Sequence, residues 1–310
     1  MGLLDRFRRK KAVQRSRADA ELFDDEFQRK LDYLAIVSRK VFAGRMRAER
    51  KTKKSGSGIE FVDHRDYVPG DDLRYLDWNV YQRFGRLQVR LFEEEEDLAV
   101  YILVDTSTSM RFGDGEKLRH AKKVAAALSY VALANLDRVA VLGVGEKLTD
   151  SMAPARGKER IFRVFQFLRG LETEGMTDLK VALRSFAARN KRRGMAVLIS
   201  DLYDPAGFEE GINVLRYNRF EPLVIHINNR AEAKPTLLGD VLLYDCETGE
   251  EREVTVTARL LEKYRMAYEE YRREVELFCA SKQVPYFEAD VSVPFEDLVL
   301  RIFRRGGFLR

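Results

Sequence analysis

Ala99-Val-Tyr-Ile-Leu-Val-Asp-Thr-Ser-Thr-Ser-Met110 is the stretch that decides the fold: an apolar run that ends abruptly in an acid and a row of hydroxyls. A run this rich in Val and Ile, with no polar face, predicts a strand buried on both sides, the usual middle of a parallel sheet. Ligands of such sheets gather just beyond the carboxyl ends of the strands. Asp105, Ser107 and Ser109 are spaced two apart, so an extended chain leaving the strand puts one carboxylate and two hydroxyls on one side. Two readings fit these residues. Asp and Ser can make local turn and helix-capping bonds at a strand-to-helix junction, or the three oxygens can form a pocket for a hard cation such as Mg²⁺.

The rest of the chain builds outward from this strand. Lys117 to Asn135 places Leu118, Ala121, Val124, Ala125, Leu128, Val131 and Ala132 at helical spacing, an Ala-rich surface for lying on a sheet. Asp137 to Val144 reads as a second strand, with a short third from Lys147 to Ala153. Helices are expected over Ile161 to Leu171, Leu179 to Arg189 and Phe208 to Tyr217, and strands over Gly194 to Ser200 and Pro222 to Ile227. Two short strands about a Thr248-Gly249 turn make a hairpin inserted at about 241–257. A helix over Leu260 to Phe278 follows, with Tyr264, Tyr268 and Tyr271 on its packing face. Pro285 to Val291 is the last strand, and Phe295 to Phe303 the last helix, stopped by Gly306-Gly307. This alternation predicts an α/β fold with a doubly wound, mostly parallel, Rossmann-like sheet flanked by helices.

The expected organisation has three parts: a basic arm over 1–20, a helix and small β region over 21–98, and the α/β domain over 99–310. The arm mixes Leu3, Leu4 and Phe7 with five basic residues from Arg6 to Lys11, as a solvated tail or as an amphipathic helix on an anionic surface. Asp24 to Phe42 reads as a helix with one buried stripe. Arg45 to Lys54, closed by Ser55-Gly-Ser-Gly58, reads as a flexible basic loop. Ile59 to Arg90 predicts a small sheet, with Pro69-Gly70 at a turn, a tight turn at Phe84-Gly85-Arg86, and the only tryptophan, Trp78, as its core anchor. An acidic block, Glu93 to Asp97, leads into the central strand.

Of the net charge of +5, the first 54 residues carry +9 and the remaining 256 sum to −4. Contact with a polyanion therefore falls to the amino-terminal segment rather than the body. No apolar run is long enough to cross a bilayer and no signal-peptide pattern opens the chain, so a cytoplasmic location is expected. Cys246 and Cys279 read as ordinary reduced thiols, and His64, His120 and His226 as scattered structural residues.

Three loops converge on one sheet edge: Asp105-x-Ser107-x-Ser109 after the first strand, Thr177-Asp178 before a helix, and Asp201 after a later strand. Asp105, Ser107, Ser109, Thr177 and Asp201 match one by one the pattern of the metal-ion-dependent adhesion site in the von Willebrand factor A fold, which the chain resembles. The segment from Glu60 to Trp78, with Tyr67-Val-Pro-Gly-Asp-Asp-Leu-Arg-Tyr, resembles the signature of the domain of unknown function 58 family, and the two resemblances together cover about residues 30–310. They imply a bound Mg²⁺, Mn²⁺ or Ca²⁺ and no catalytic residues. They also imply a protein ligand offering a carboxylate to the metal, and partnership with a MoxR-type AAA+ ATPase in complex assembly or remodelling. The sequence departs from the pattern at Met176, where a small residue is expected before the threonine, and it lacks the membrane helices that some relatives carry.

A non-enzymatic, metal-dependent protein-binding module is the expected function. One alternative is a metal-dependent phosphohydrolase with Asp105 as phosphoryl acceptor. A haloacid-dehalogenase-like site would want a second acid two residues on, where Ser107 stands, and no Gly-rich phosphate loop is present. The other alternative is nucleic-acid or anionic-membrane binding through residues 1–54, which salt would weaken steeply.

Overall fold

The computed structural model describes residues 22–42, 51–54, 60–95, 99–246 and 249–305. The basic arm, the Ser55-Gly-Ser-Gly58 linker, most of the basic run before it, the end of the acidic block and the Gly306-Gly307 stop lie outside the described residues. The chain divides into two compact units, one of residues 1–38 with 98–308 and a smaller one containing 39–97.

Helix α1 (Asp25–Phe42) forms where the apolar stripe predicts it, opened by Asp24, whose carboxylate accepts from the Phe27 N–H at 2.7 Å. It belongs with the large unit rather than with the small β region to which the sequence joins it. Phe23 stacks on Phe165 at 4.6 Å and Phe27 meets Phe295 at 4.9 Å. The helix buries its stripe against the α/β domain because those aromatic rings supply the apolar cover it needs.

The small unit is a three-stranded antiparallel sheet in the order β1 (Lys51–Lys54), β3, β2 (Glu60–Asp66). The backbone of 51–54, expected to be loop, pairs with 92–95 instead, which corrects that reading. Ahead of β3 (Gln88–Glu95), residues expected to belong to the small sheet form instead a 3₁₀ turn at Leu73–Tyr75 and a short helix, α2 (Trp78–Phe84). Asp77 caps α2 by accepting from Asn79 and Val80, and Gly85 ends it in the left-handed conformation at φ 68°. Trp78 is not the core anchor that the sequence suggests: it is 62% exposed. Leu76 and Val89, bridged to each other, are the buried hydrophobic side chains here among the described residues, and Trp78 occupies the first turn of a short helix with no buried residue. The Pro69-Gly70-Asp71-Asp72 segment is a turn. The Asp71 N–H donates to Val68 O, its carboxylate accepts from the Val68 N–H and from Arg65 at 2.6 Å, and Asp72 caps the 3₁₀ turn.

The large unit is built on a six-stranded sheet whose strands lie in the order Tyr286–Asp290, Glu221–Asn228, Met195–Ser200, Ala99–Asp105, Arg138–Val144, Leu148–Ser151. Strand β4 (Ala99–Asp105) is buried along its whole length and lies parallel to both neighbours, as its unbroken apolar run dictates. After it come α3 (Phe112–Ala134), β5 (Arg138–Val144), β6 (Leu148–Ser151), α4 (Ile161–Gly170), α5 (Leu179–Arg189) and β7 (Met195–Ser200). They are followed by α6 (Phe208–Tyr217), β8 (Glu221–Asn228), α7 (Arg230–Ala233), the hairpin β9 (Gly239–Tyr244) and β10 (Glu251–Val256), α8 (Ala258–Ser281), β11 (Tyr286–Asp290) and α9 (Phe295–Arg305). Only β6 runs antiparallel, against β5. The architecture is the expected α/β one, a mostly parallel sheet with helices on both faces. Helices α5, α6 and α8 share one core with β4, β5 and β7 through Leu179, Leu183, Phe186, Ile212 and Val275. On the opposite side α3 packs on β4 and β5 and meets α4 and α9. Among the described residues no helix is long and apolar enough to cross a membrane.

Helix α3 is buried nearly all round, which its Ala-rich sequence permits. Gly113, Asp114 and Gly115 have positive φ, so regular helix begins only at Glu116. That break aims the first full turn, with Lys117, at the carboxyl edge of the sheet.

Candidate functional site

The carboxyl ends of β4 and β7 lie side by side because the two strands are parallel neighbours, with Val104 opposite Ile199. Asp105 and Asp201 therefore leave the sheet together. Both are fully buried. The Ser107 N–H donates to Asp105 Oδ1 at 2.8 Å and the Ser200 hydroxyl to Asp105 Oδ2 at 2.5 Å. The Ser107 and Ser109 hydroxyls are 3.0 Å apart, within a loop that turns into a 3₁₀ segment at Thr108–Arg111 rather than continuing as the extended chain expected from the sequence.

Backbone bonds bring in the second loop. The Glu174 N–H donates to Thr106 O at 2.8 Å, and the Thr108 N–H and hydroxyl both donate to Gly175 O, at 3.0 and 2.8 Å. The Asp178 N–H donates to Gly145 O, and the Asp178 carboxylate caps α5 through the Val181 N–H at 2.8 Å. Between these anchors Thr177 is buried while Met176 is exposed. The Thr177 hydroxyl is buried with no hydrogen-bond partner among the described residues.

Electrostatically the site is under-compensated. Burial and the nearby Asp201 carboxylate push the Asp105 carboxyl up to about 7, against the hydrogen bonds from Ser200 and Ser107 that favour its charge. A positive charge at this edge would relieve the pair. Two carboxylates and three hydroxyls are oxygen donors of the kind a hard cation takes, and the orphaned Thr177 oxygen is a donor in want of a partner. The residues fit such an ion. Among the described residues no group of three or more His, Cys, Asp or Glu is placed to hold a metal.

Several groups around the site escape sequence reasoning. The buried Lys117 donates from Nζ to Asp201 Oδ2 at 2.6 Å and to Glu232 Oε1 at 3.0 Å. The Tyr203 N–H donates to Asp201 Oδ1 at 3.2 Å. The three tyrosines of α8 tie down the loops at this edge: Tyr271 donates to Leu202 O at 2.6 Å, Tyr268 to Asn228 Oδ1 at 3.2 Å and Tyr264 to Glu232 O at 3.0 Å. The signal for Lys117 lay in its position one helical turn before Ala121 and two before Val124, a charged residue on an otherwise apolar stripe. Glu232 carried no such signal.

Of the three histidines, His226 borders the site: it stands opposite Ser200 in the sheet and feels the charges of Asp201 and Lys117. His64 bonds Asp77 at 2.9 Å and His226 Nδ1 bonds Tyr286 at 2.8 Å, while burial drives both His226 and His120 down to about 4, keeping them neutral. Cys279 is a buried free thiol pushed up to about 12 by burial, and Cys246 is exposed.

Fold and site together define an α/β protein with a carboxylate-and-hydroxyl cluster at the carboxyl edge of a mostly parallel sheet. The chain belongs to the family described as protein of unknown function DUF58, whose pattern matches residues 63–276. Uncharacterized proteins of Mycobacterium tuberculosis and Mycobacterium bovis are 30% identical to it over 227 residues, covering 71% of this chain and 71% of each relative. Among solved structures, BatB of Bacteroides thetaiotaomicron aligns with a TM-score of 0.44 at 12% identity, over 68% of this chain and 98% of that one. An aerotolerance-related membrane protein of Bacteroides fragilis aligns with a TM-score of 0.44 at 14% identity, over 67% and 99%.

Proposed function

We propose that the chain is a non-enzymatic, divalent-metal-dependent protein-binding module of the von Willebrand factor A type. In this reading Asp105, Ser107, Ser109, Thr177 and Asp201 form a metal-ion-dependent adhesion site for Mg²⁺, with Mn²⁺ or Ca²⁺ as substitutes. One observation carries the reading: two buried acids at adjacent strand ends share their edge with a buried threonine hydroxyl that has no hydrogen-bond partner among the described residues. A divalent ion supplies positive charge there and a coordination position for an incoming carboxylate. The chain's own residues orient the donors. Ser200 and the Ser107 N–H fix the Asp105 carboxylate, and the Thr106 and Thr108 bonds hold the Thr177 loop against the Ser107 loop.

The phosphohydrolase reading is less well supported, because both Asp105 oxygens accept hydrogen bonds from the protein and Ser107 stands where a proton-shuttling acid would be needed. The ligand of the site is a partner protein's acidic side chain. The partner we assign is a MoxR-type AAA+ ATPase, on the strength of the family signature. The test is capture of that ATPase by the full chain in Mg²⁺ and in EDTA. Capture should be lost in EDTA and in Asp105→Ala, with the circular dichroism of the variant unchanged. Equal capture in EDTA overturns the proposal.

A further inference from the structure

Lys117 heads the large side chains that are fully buried, an unusual place for an ammonium group. It sits 2.6 Å from Asp201 Oδ2, between 2.9 and 3.0 Å from the Glu232 oxygens and 3.5 Å from Ser109 O. The Tyr203 ring lies 4.9 Å away and the Phe112 ring 5.8 Å away, closing the pocket over it. The ammonium is thus wedged between the first loop of the site and the acid of the third.

Two consequences follow for any divalent ion at this edge. Asp201 is held on both oxygens, by Lys117 on Oδ2 and by the Tyr203 N–H on Oδ1. An ion that drew directly on Asp201 would have to share it with a full positive charge in hydrogen-bond contact. Lys117 and Glu232 also cancel as a pair, so the charge left for the ion is that of Asp105 and Asp201 alone.

We infer that Lys117 is a positioning residue that sets the metal affinity of the site. It keeps Asp201 out of direct coordination, so the ion rests on Asp105 and the hydroxyls, exchanges readily and keeps its charge available to a partner's carboxylate. This inference rests on the metal-site reading above. It assigns to one side chain a property, weak and exchangeable metal binding, that the five donor residues do not fix by themselves.

The experiment is a Mn²⁺ titration, read by electron paramagnetic resonance of the free ion, on the full chain and on two variants. Lys117→Met leaves Asp201 and Glu232 unneutralised. Lys117→Met/Glu232→Gln removes both charges of the pair, so the net charge of the cluster is unchanged and Asp201 is the one buried carboxylate that loses its ammonium partner. Thermal unfolding and circular dichroism establish that each variant is folded. The double variant should bind Mn²⁺ about tenfold more tightly than the parent, the scale on which groups behind metal ligands act. The single variant should bind more tightly still. A purely structural lysine would weaken or abolish binding when removed. A folded double variant that binds Mn²⁺ no more tightly than a parent that does bind it overturns this inference and leaves the metal site standing. Absence of Mn²⁺ binding in the parent and in both variants overturns the metal site itself, and this inference with it.

Discussion

Tyr101 in β4 and Trp78 in α2 are aromatic residues of comparable size with opposite fates. Tyr101 is buried in the large unit, edge-on to Phe186 and Phe220, with its hydroxyl donating to Arg192 O at 2.9 Å, whereas Trp78 in the small unit stands 62% exposed. The difference lies in the sequence around each. Tyr101 sits inside six consecutive apolar residues, Ala99 to Val104, that have no polar face and so must be covered on both sides. Trp78 follows Asp77 in a segment where acids, arginines and turns alternate, and there a single aromatic residue carries no information about burial. A continuous pattern dictates an environment; one large side chain does not.

The comparison can be broken most severely at Gly194. A Cβ there would lie 2.1 Å from Ala99 O, a backbone atom of the strand next to it that no rotamer change can move. Gly194→Ala should therefore destabilise the large unit by about 3 kcal/mol or more, the upper end of overpacking effects, as measured by urea unfolding. A loss under about 1 kcal/mol would mean that the β4–β7 contact is looser than the structure shows.

The next effect in size concerns pH. His120 is buried on α3 facing Lys123, Asp290 and Glu296, and burial lowers it from 6.5 to about 4. In that window the unfolded chain binds a proton that the folded chain does not, so stability is fully present above pH 6.5 and is lost as pH falls towards 4. The slope contributed by this residue is about 1.4 kcal/mol per pH unit at most. Urea midpoints compared between pH 7 and pH 5 should fall less in His120→Gln than in the parent. An identical fall in both would remove His120 from the account.

The smallest effect is expected on the other side of the comparison. Trp78→Ala should change the stability of the small unit by no more than about 0.5 kcal/mol, the scale of exposed positions. The fluorescence of this single tryptophan should be quenched by iodide in the native protein as it is in the unfolded chain. Protection from iodide would place Trp78 in a covered position.

The parallel sheet was legible because each of its central strands is an apolar run without a polar face, and each ends where the run ends: Asp105, Val144, Ser200. That Asp105, Ser107 and Ser109 share one loop end followed from their spacing, although a 3₁₀ turn over Thr108–Arg111 replaces the extended chain expected. Thr177 did not; a lone threonine before a helix has too many structural uses, and only its match to a family pattern singled it out. Lys117 and Glu232 were illegible as a pair, since they are 115 positions apart and meet only when α7 closes over the break at Gly113–Gly115. The strand at Lys51–Lys54 was hidden for a different reason. Four polar residues carry no periodic apolar signal, and their pairing with 92–95 is set by backbone hydrogen bonds that composition does not announce.

The central claim is that the edge bounded by Asp105, Thr177 and Asp201 holds a divalent cation. Isothermal titration of Mg²⁺ into the parent chain and into Asp105→Ala, both shown to be folded, tests it directly. The account predicts saturable binding by the parent and none by the variant. A parent that takes up no Mg²⁺, or a variant that binds it as well as the parent does, would contradict it.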